Sequence, residues 1–138
     1  MQPTRQNRFT DQADDEIAVR VSELLREKPR IVVAIDGNSS AGKTTAAAQL
    51  GALLDANVFH MDDYFLQPHM RTPARLSQPG GNVDAERFLR DILLPVSAGK
   101  PAHVEPYDCH LDRLLKRKTV APRAVSIVEG AYSLHPLL

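Results

Sequence analysis

Residues 37–44 read Gly-Asn-Ser-Ser-Ala-Gly-Lys-Thr. They follow the β-branched run Arg30–Asp36 (RIVVAID) and open an alanine-rich stretch, Thr44–Leu54. The spacing G-x-x-x-x-G-K-[ST], left by a buried strand and entering a helix, describes a loop whose backbone N–H groups curl around a cluster of oxygens. Glycine at both ends lets the backbone approach closely, and the helix N-terminus adds a dipole that favours negative charge. A chain with this segment must therefore build a strand, a tight loop and a helix in that order, which points to an α/β architecture.

The cradle comprises Gly37, Asn38, Ser39, Ser40, Ala41, Gly42, Lys43 and Thr44, with Thr45 next on the helix. Lys43 is expected to neutralise β- and γ-phosphates, and the Thr44 hydroxyl to ligate Mg²⁺, so ATP and Mg²⁺ are the expected cofactors. Such loops serve GTPases, motors and small-molecule kinases alike. No Asn-Lys-x-Asp guanine-reading segment is present, and a motor would add much more chain and a conventional apolar-run-plus-Asp magnesium site.

The remaining pattern alternates helices with strands. Apolar positions Ile17, Val21, Leu24 and Leu25 recur at helical spacing within Thr10–Lys28, with acids crowding its start and bases its end, before Pro29. Arg30–Asp36 is apolar on both faces, as a central strand covered on two sides would be. Asn57–His60 and Ala124–Glu129 read as two further core strands. Asp84–Leu94 reads as an amphipathic helix ended by Pro95, and Ala102–Tyr107 with Lys116–Val120 as a strand pair. Residues 66–83 hold three prolines and two glycines without a period, which predicts a long functional or mobile loop. These elements divide the chain into an N-terminal helical segment, 1–29, and a core, 30–138, with a parallel sheet.

In a parallel sheet ligands bind at the carboxyl ends of the strands. Asp36, Asp62, Asp63 and Glu129 fall at or just past such ends. A kinase acting on a hydroxyl needs a carboxylate to orient the acceptor and take its proton, and Asp62 is the leading candidate. Asp63 is either a solvated turn residue or a helper at the metal. Glu129 is expected to hold a magnesium-bound water. Arg71, Arg75 and His69 either meet an anionic or sugar-bearing substrate or belong to a solvated loop. His60 and His110 are base contacts or structural residues. Tyr64 and Phe65 stack on a nucleobase or pack in the core, and Cys109 carries no chemistry.

GNSSAGKT, FHMDDYF, GGNVDAERF, PYD and IVEGAYSLHP, in that order over residues 30–138, resemble the uridine kinase and phosphoribulokinase-like group of P-loop kinases. The resemblance implies a nucleoside-monophosphate-kinase-like fold and transfer of the ATP γ-phosphate to a sugar hydroxyl, with uridine or cytidine as acceptor. It implies Lys43 and Thr44 as phosphate and magnesium residues, Asp62 as the base, Asp84 as a ribose-hydroxyl contact, Tyr107 as an acceptor-base contact and Glu129 as the acidic residue of the third strand. Asp63 and Arg71 complete the expected acceptor site. Two departures stand out. Ser40 occupies a position where many members have glycine, and the lid and last strands of relatives have no counterpart before Leu138. A fold incomplete at its C-terminus leaves two alternatives to nucleoside phosphorylation: a nucleotide-binding module without turnover, or a kinase for another sugar-like or vitamin hydroxyl. It also leaves one edge of Ile31–Ile35 uncovered, which predicts self-association, marginal stability or further chain.

Composition narrows the partners. The 138 residues carry 17 basic and 17 acidic side chains, a zero net charge that argues against a nucleic-acid binder. The longest strictly aliphatic run, Ile31–Ile35, is far below the roughly 20 residues a membrane span needs. One cysteine and no N-terminal apolar region leave a cytoplasmic protein as the expectation.

Overall fold

The computed structural model describes residues 5–36, 43–79 and 81–130, with side chains over 14–36, 45–79 and 81–130. The loop residues Gly37, Asn38, Ser39, Ser40, Ala41 and Gly42, and the side chains of Lys43 and Thr44, lie outside the described residues.

Three parallel strands form the central sheet: β1 (Ile31–Ile35), β2 (Asn57–His60) and β7 (Val125–Glu129), in the order β1-β7-β2. The register pairs Ile31 with Val125 and Ile35 with Glu129 on one side of β7, and Asn57 with Ser126 and His60 with Glu129 on the other. Paired on both edges, β7 is buried at every position. Helix α1 (Arg5–Leu25) precedes β1, and helix α2 (Lys43–Leu54) is the crossover between β1 and β2. Both helices cover one face, where Val21, Ala47 and Leu50 meet Ile31, Val125 and Ile127. Gly51 permits the contact with β2: a Cβ there would lie 2.7 Å from Val58 Cγ2.

The second face is built by a helical segment over residues 85–97 and by a ribbon. Phe88 and Ile92 pack on Phe59, Met61, Tyr64 and Val128. No residue of β1 belongs to this cluster, and Val32 is 42 % exposed. The expectation of a central first strand covered on both faces is therefore corrected: among the described residues β7 holds the middle, and the second layer stops over β2 and β7.

Pro95 does not end the helix. The segment continues as α4 (Ala85–Phe88), a π-turn (Leu89–Leu93) and α5 (Leu94–Ser97). Proline lacks an N–H and crowds the carbonyl four residues back. The wider turn, in which the Leu94 N–H reaches Leu89 O, accommodates both problems without breaking the axis.

The ribbon pairs β3 (Ala102–Val104) with β6 (Lys118–Val120), and farther out β4 (Tyr107–Asp108) with β5 (Arg113–Leu114), both antiparallel. Asp108 Oδ1 organises its tip by accepting from the His110 and Leu111 amides at 2.8 and 2.9 Å. The long segment 66–83 is tied rather than loose. A bridge joins Phe65 to Val83, Thr72 caps the short helix α3 (Pro73–Leu76), and Arg75 donates to Gly81 O, Val83 O and both oxygens of Glu86. Arg75 is thus a structural tie of the loop, committed to its own chain.

Candidate active site

The three parallel strands deliver Ile35, Glu129 and His60 to one level of the sheet. Beyond that level lie Asp36, Gly130 and the 3₁₀ turn Met61–Asp63. Helix α2 begins at Lys43, seven residues after Asp36. The sequence-based placement of the acids at the carboxyl ends of strands agrees with this geometry.

Glu129 is 2 % exposed, and its Oε1 lies 2.5 Å from His60 Nδ1, a hydrogen bond in which the ring N–H donates to the carboxylate. Asp62 is exposed on the turn, while Asp63 is half-buried. Burial raises the Asp63 carboxyl above its usual range, with Asp62 and Glu129 adding to the rise and His60 opposing it. Asp62, Asp63, Glu129 and His60 therefore form one electrostatic group. Of the two sequence-based readings of His60, base contact or structural residue, the Glu129 hydrogen bond fits the structural one, and the signal for it is the shared strand-end position with Glu129.

The other candidates divide. Asp84 is 3 % exposed and caps α4: its Oδ1 accepts from the Arg87 amide at 3.1 Å, and its own N–H donates to Tyr64 O at 2.7 Å. Burial raises its carboxyl, opposed by that capping bond and by the Arg87 charge. Tyr107 is 5 % exposed; its hydroxyl donates to Asp112 Oδ1 and accepts from Arg71 Nη2 at 3.3 Å. Arg71 also donates to Leu66 O at 2.9 Å. With Phe65, Asn82 and Cys109, Arg71 lines a cavity of about 270 Å³. A second cavity, of about 170 Å³, lies between β2 and the ribbon, with His60, Asp63 and Lys118 among its walls and Val58, Val104 and Val120 giving it apolar character. Arg71 and Tyr107 are thus brought together, Asp63 borders the other cavity, and Asp84 is buried at the start of α4 and lines neither. Tyr64 is a core residue at 1 % exposure, its ring edge-on to Phe88. His110 stands on the exposed ribbon tip. Thr45 is exposed in the first turn of α2.

Among the described residues no group of three His, Cys, Asp or Glu side chains makes a ready metal cage. Mg²⁺ does not require one, since it keeps waters and takes one or two protein ligands beside phosphate oxygens. The half-buried Asp63, raised first by burial and further by the neighbouring Asp62 and Glu129 carboxylates, belongs to a donor set that fits a divalent cation, for which Glu129 and Thr44 are the expected holders. No helix among the described residues is long and apolar enough to cross a membrane.

No protein-family model matches the chain. Uridine-cytidine kinase C of Dictyostelium discoideum is 30 % identical over 124 residues, which cover 86 % of this chain and 27 % of that protein. The chain thus spans about a quarter of the length of this curated relative. A structure described as that of a possible uridine kinase from Bacillus stearothermophilus superposes with a TM-score of 0.65 at 24 % identity, covering 88 % of this chain and 75 % of the other. D-glycerate 3-kinase of Cryptococcus neoformans superposes with a TM-score of 0.64 at 18 % identity, covering 89 % of this chain and 52 % of the other. The parallel sheet with flanking helices is the P-loop kinase fold. Joined to the order of the motifs, these likenesses show a P-loop kinase fold and a similarity to uridine kinases.

Proposed function

We propose that the chain forms the catalytic part of a phosphotransferase that moves the γ-phosphoryl group of ATP to the 5′-hydroxyl of a pyrimidine nucleoside such as uridine or cytidine. The observation that carries this reading is the common level of Glu129 and His60 at the carboxyl ends of β7 and β2, with Asp62 two residues beyond. The phosphate motif leaves β1 at this same end.

Each residue has a distinct task. The amides of residues 37–44 and the Lys43 ammonium hold the phosphates, and Asp62, exposed to an incoming acceptor, aligns its hydroxyl and takes the proton. Glu129, buried and bonded through one oxygen to His60, would hold the metal's water shell. Mg²⁺, when bound, neutralises charge on the transferring phosphates. Arg71, which lines the larger cavity, and Tyr107, whose hydroxyl accepts from it, serve as acceptor contacts.

The test is product formation from γ-labelled ATP with uridine, cytidine, purine nucleosides, D-glycerate and simple sugars. Label should pass to a pyrimidine nucleoside. Asp62→Asn should lower turnover by about 10²- to 10⁴-fold and leave ATP affinity within a few-fold. Unchanged turnover in that variant removes Asp62 from the role, and ATP binding without product from any acceptor favours a binding module.

A further inference from the structure

Arg87 is a cation placed in the core. It is 8 % exposed, its guanidinium sits 4.2 Å from the centre of the Tyr64 ring, and its Nη1 donates to Glu105 O at 2.6 Å. Nε lies 3.6 Å from Asp84 Oδ2, too long for a hydrogen bond, and neither Nε nor Nη2 has a hydrogen-bond partner among the described residues. Burying an incompletely satisfied guanidinium is costly, and a methionine or leucine would pack the same space without that cost. The position of Arg87 therefore calls for a reason beyond packing.

That reason lies in what it touches. Tyr64 follows the Asp62 turn directly, and its N–H closes that turn on Met61 O at 2.9 Å. Its carbonyl accepts from the Asp84 N–H, and its hydroxyl accepts from the Glu105 N–H at 3.2 Å. Glu105 is consequently gripped at both backbone groups, the N–H by Tyr64 and the C=O by Arg87. Three otherwise separate pieces meet at this clamp: the turn bearing Asp62 and Asp63, the helix start at Asp84, and the residue between β3 and β4 that leads to Tyr107.

We propose that Arg87 is a positioning residue that locks the Asp62 turn against the acceptor side of the site by pressing on Tyr64 and pinning Glu105. The proposal rests on the reading of Asp62 as the proton acceptor. A cation stacked on an aromatic ring and a charged donor on a carbonyl together resist sliding of the turn along the ribbon, which apolar packing would permit.

The experiment compares wild-type chain, Arg87→Met, Arg87→Lys and Tyr64→Phe by amide hydrogen exchange and by steady-state phosphoryl transfer. In Arg87→Met the Glu105 and Tyr64 amides should exchange at least about tenfold faster while the Ile127 and Val128 amides keep their protection. Turnover should fall about tenfold or more with KM for ATP unchanged, and Arg87→Lys should recover at least half of the loss. Tyr64→Phe keeps the ring but removes the acceptor for the Glu105 N–H, so it should release that amide and lower turnover even if Arg87→Met fails to fold. Unchanged exchange at Glu105 in the folded variants overturns the clamp. Faster exchange with wild-type turnover overturns the positioning role and leaves a purely structural one. A wild-type chain that transfers no phosphate overturns the functional reading and with it the catalytic half of this proposal, while the exchange data still decide the clamp.

Discussion

Glu86 offers a quantitative test of how the long segment between β2 and α4 is held. Arg75 Nη1 and Nη2 meet the two Glu86 oxygens at 2.6 and 2.9 Å, and the same guanidinium holds Gly81 O and Val83 O at 3.3 and 2.9 Å. The hydrogen bond from Arg75 lowers the Glu86 carboxyl from 4.5 to about 2. Because the folded value lies below the unfolded one, ionised Glu86 stabilises the fold above pH 4.5, and that contribution fades as the pH falls toward 2. Taken at face value the drop corresponds to about 3.4 kcal/mol. Glu86 is 51 % exposed, however, so solvent and salt screen the pair, and about 1 kcal/mol is the expected contribution.

The assay is reversible urea and thermal unfolding of wild-type chain and Glu86→Gln across the acid range at fixed ionic strength. At neutral pH the variant should be less stable by about 1 kcal/mol, or about 3 °C in Tm for a chain of this size. The gap should begin to close near pH 4.5 and be mostly gone where wild-type Glu86 is itself protonated. A gap that stays constant with pH would show that glutamine disturbs packing rather than charge. No gap at neutral pH would refute the tie altogether.

Two further tests probe the sheet and the acidic group. Gly51→Ala should destabilise the chain by about 1–3 kcal/mol in urea unfolding despite the helix propensity of alanine, because the new Cβ meets Val58 Cγ2 at 2.7 Å on a side chain stiff at χ1; a stabilised variant would mean that α2 has room to move. Asp63 has a folded value above 3.8, raised first by burial, so its ionised form costs stability at neutral pH and the cost vanishes as pH falls to 3.8. Asp63→Asn should accordingly be the more stable protein at neutral pH, with the advantage shrinking in acid, and a loss of stability at neutral pH contradicts the assignment.

What could be read from sequence was local. Asn57–His60 and Ala124–Glu129 declare themselves as strands through β-branched, apolar runs, and the observed bounds differ by at most one residue. The strand before the glycine motif and the helix after it are legible because the motif's chemistry dictates both neighbours. What failed depended on partners far along the chain. Pro95 carries a strong local stop signal, yet packing of Ile92 and Phe88 on the sheet holds the segment helical and the π-turn absorbs the proline. Whether β1 is central depends on which strand inserts beside it, and the inserting strand lies ninety residues later. Arg75 and Arg87 look alike in sequence as surface cations, but one ties the loop at its rim and the other is buried, a difference set by what Tyr64 and Glu105 leave open.

The same distinction separates the two carboxylates that matter most. Sequence places Asp62 and Glu129 alike, each near the end of a strand, and assigns their roles from that placement and from motif resemblance. Pairing register adds the missing term: His60 and Glu129 are opposite one another on adjacent strands, so one carboxylate has a fixed donor and almost no solvent, whereas Asp62 lies beyond the ladder on an exposed turn. A buried carboxylate with one oxygen already bonded is suited to hold a fixed charge and poorly suited to exchange protons with an incoming group. An exposed one on a short turn can meet an acceptor and release its proton to water. The proposed division of labour therefore has support in burial and register as well as in the motif resemblance, with His60 as the donor that fixes Glu129 across the β2–β7 pairing.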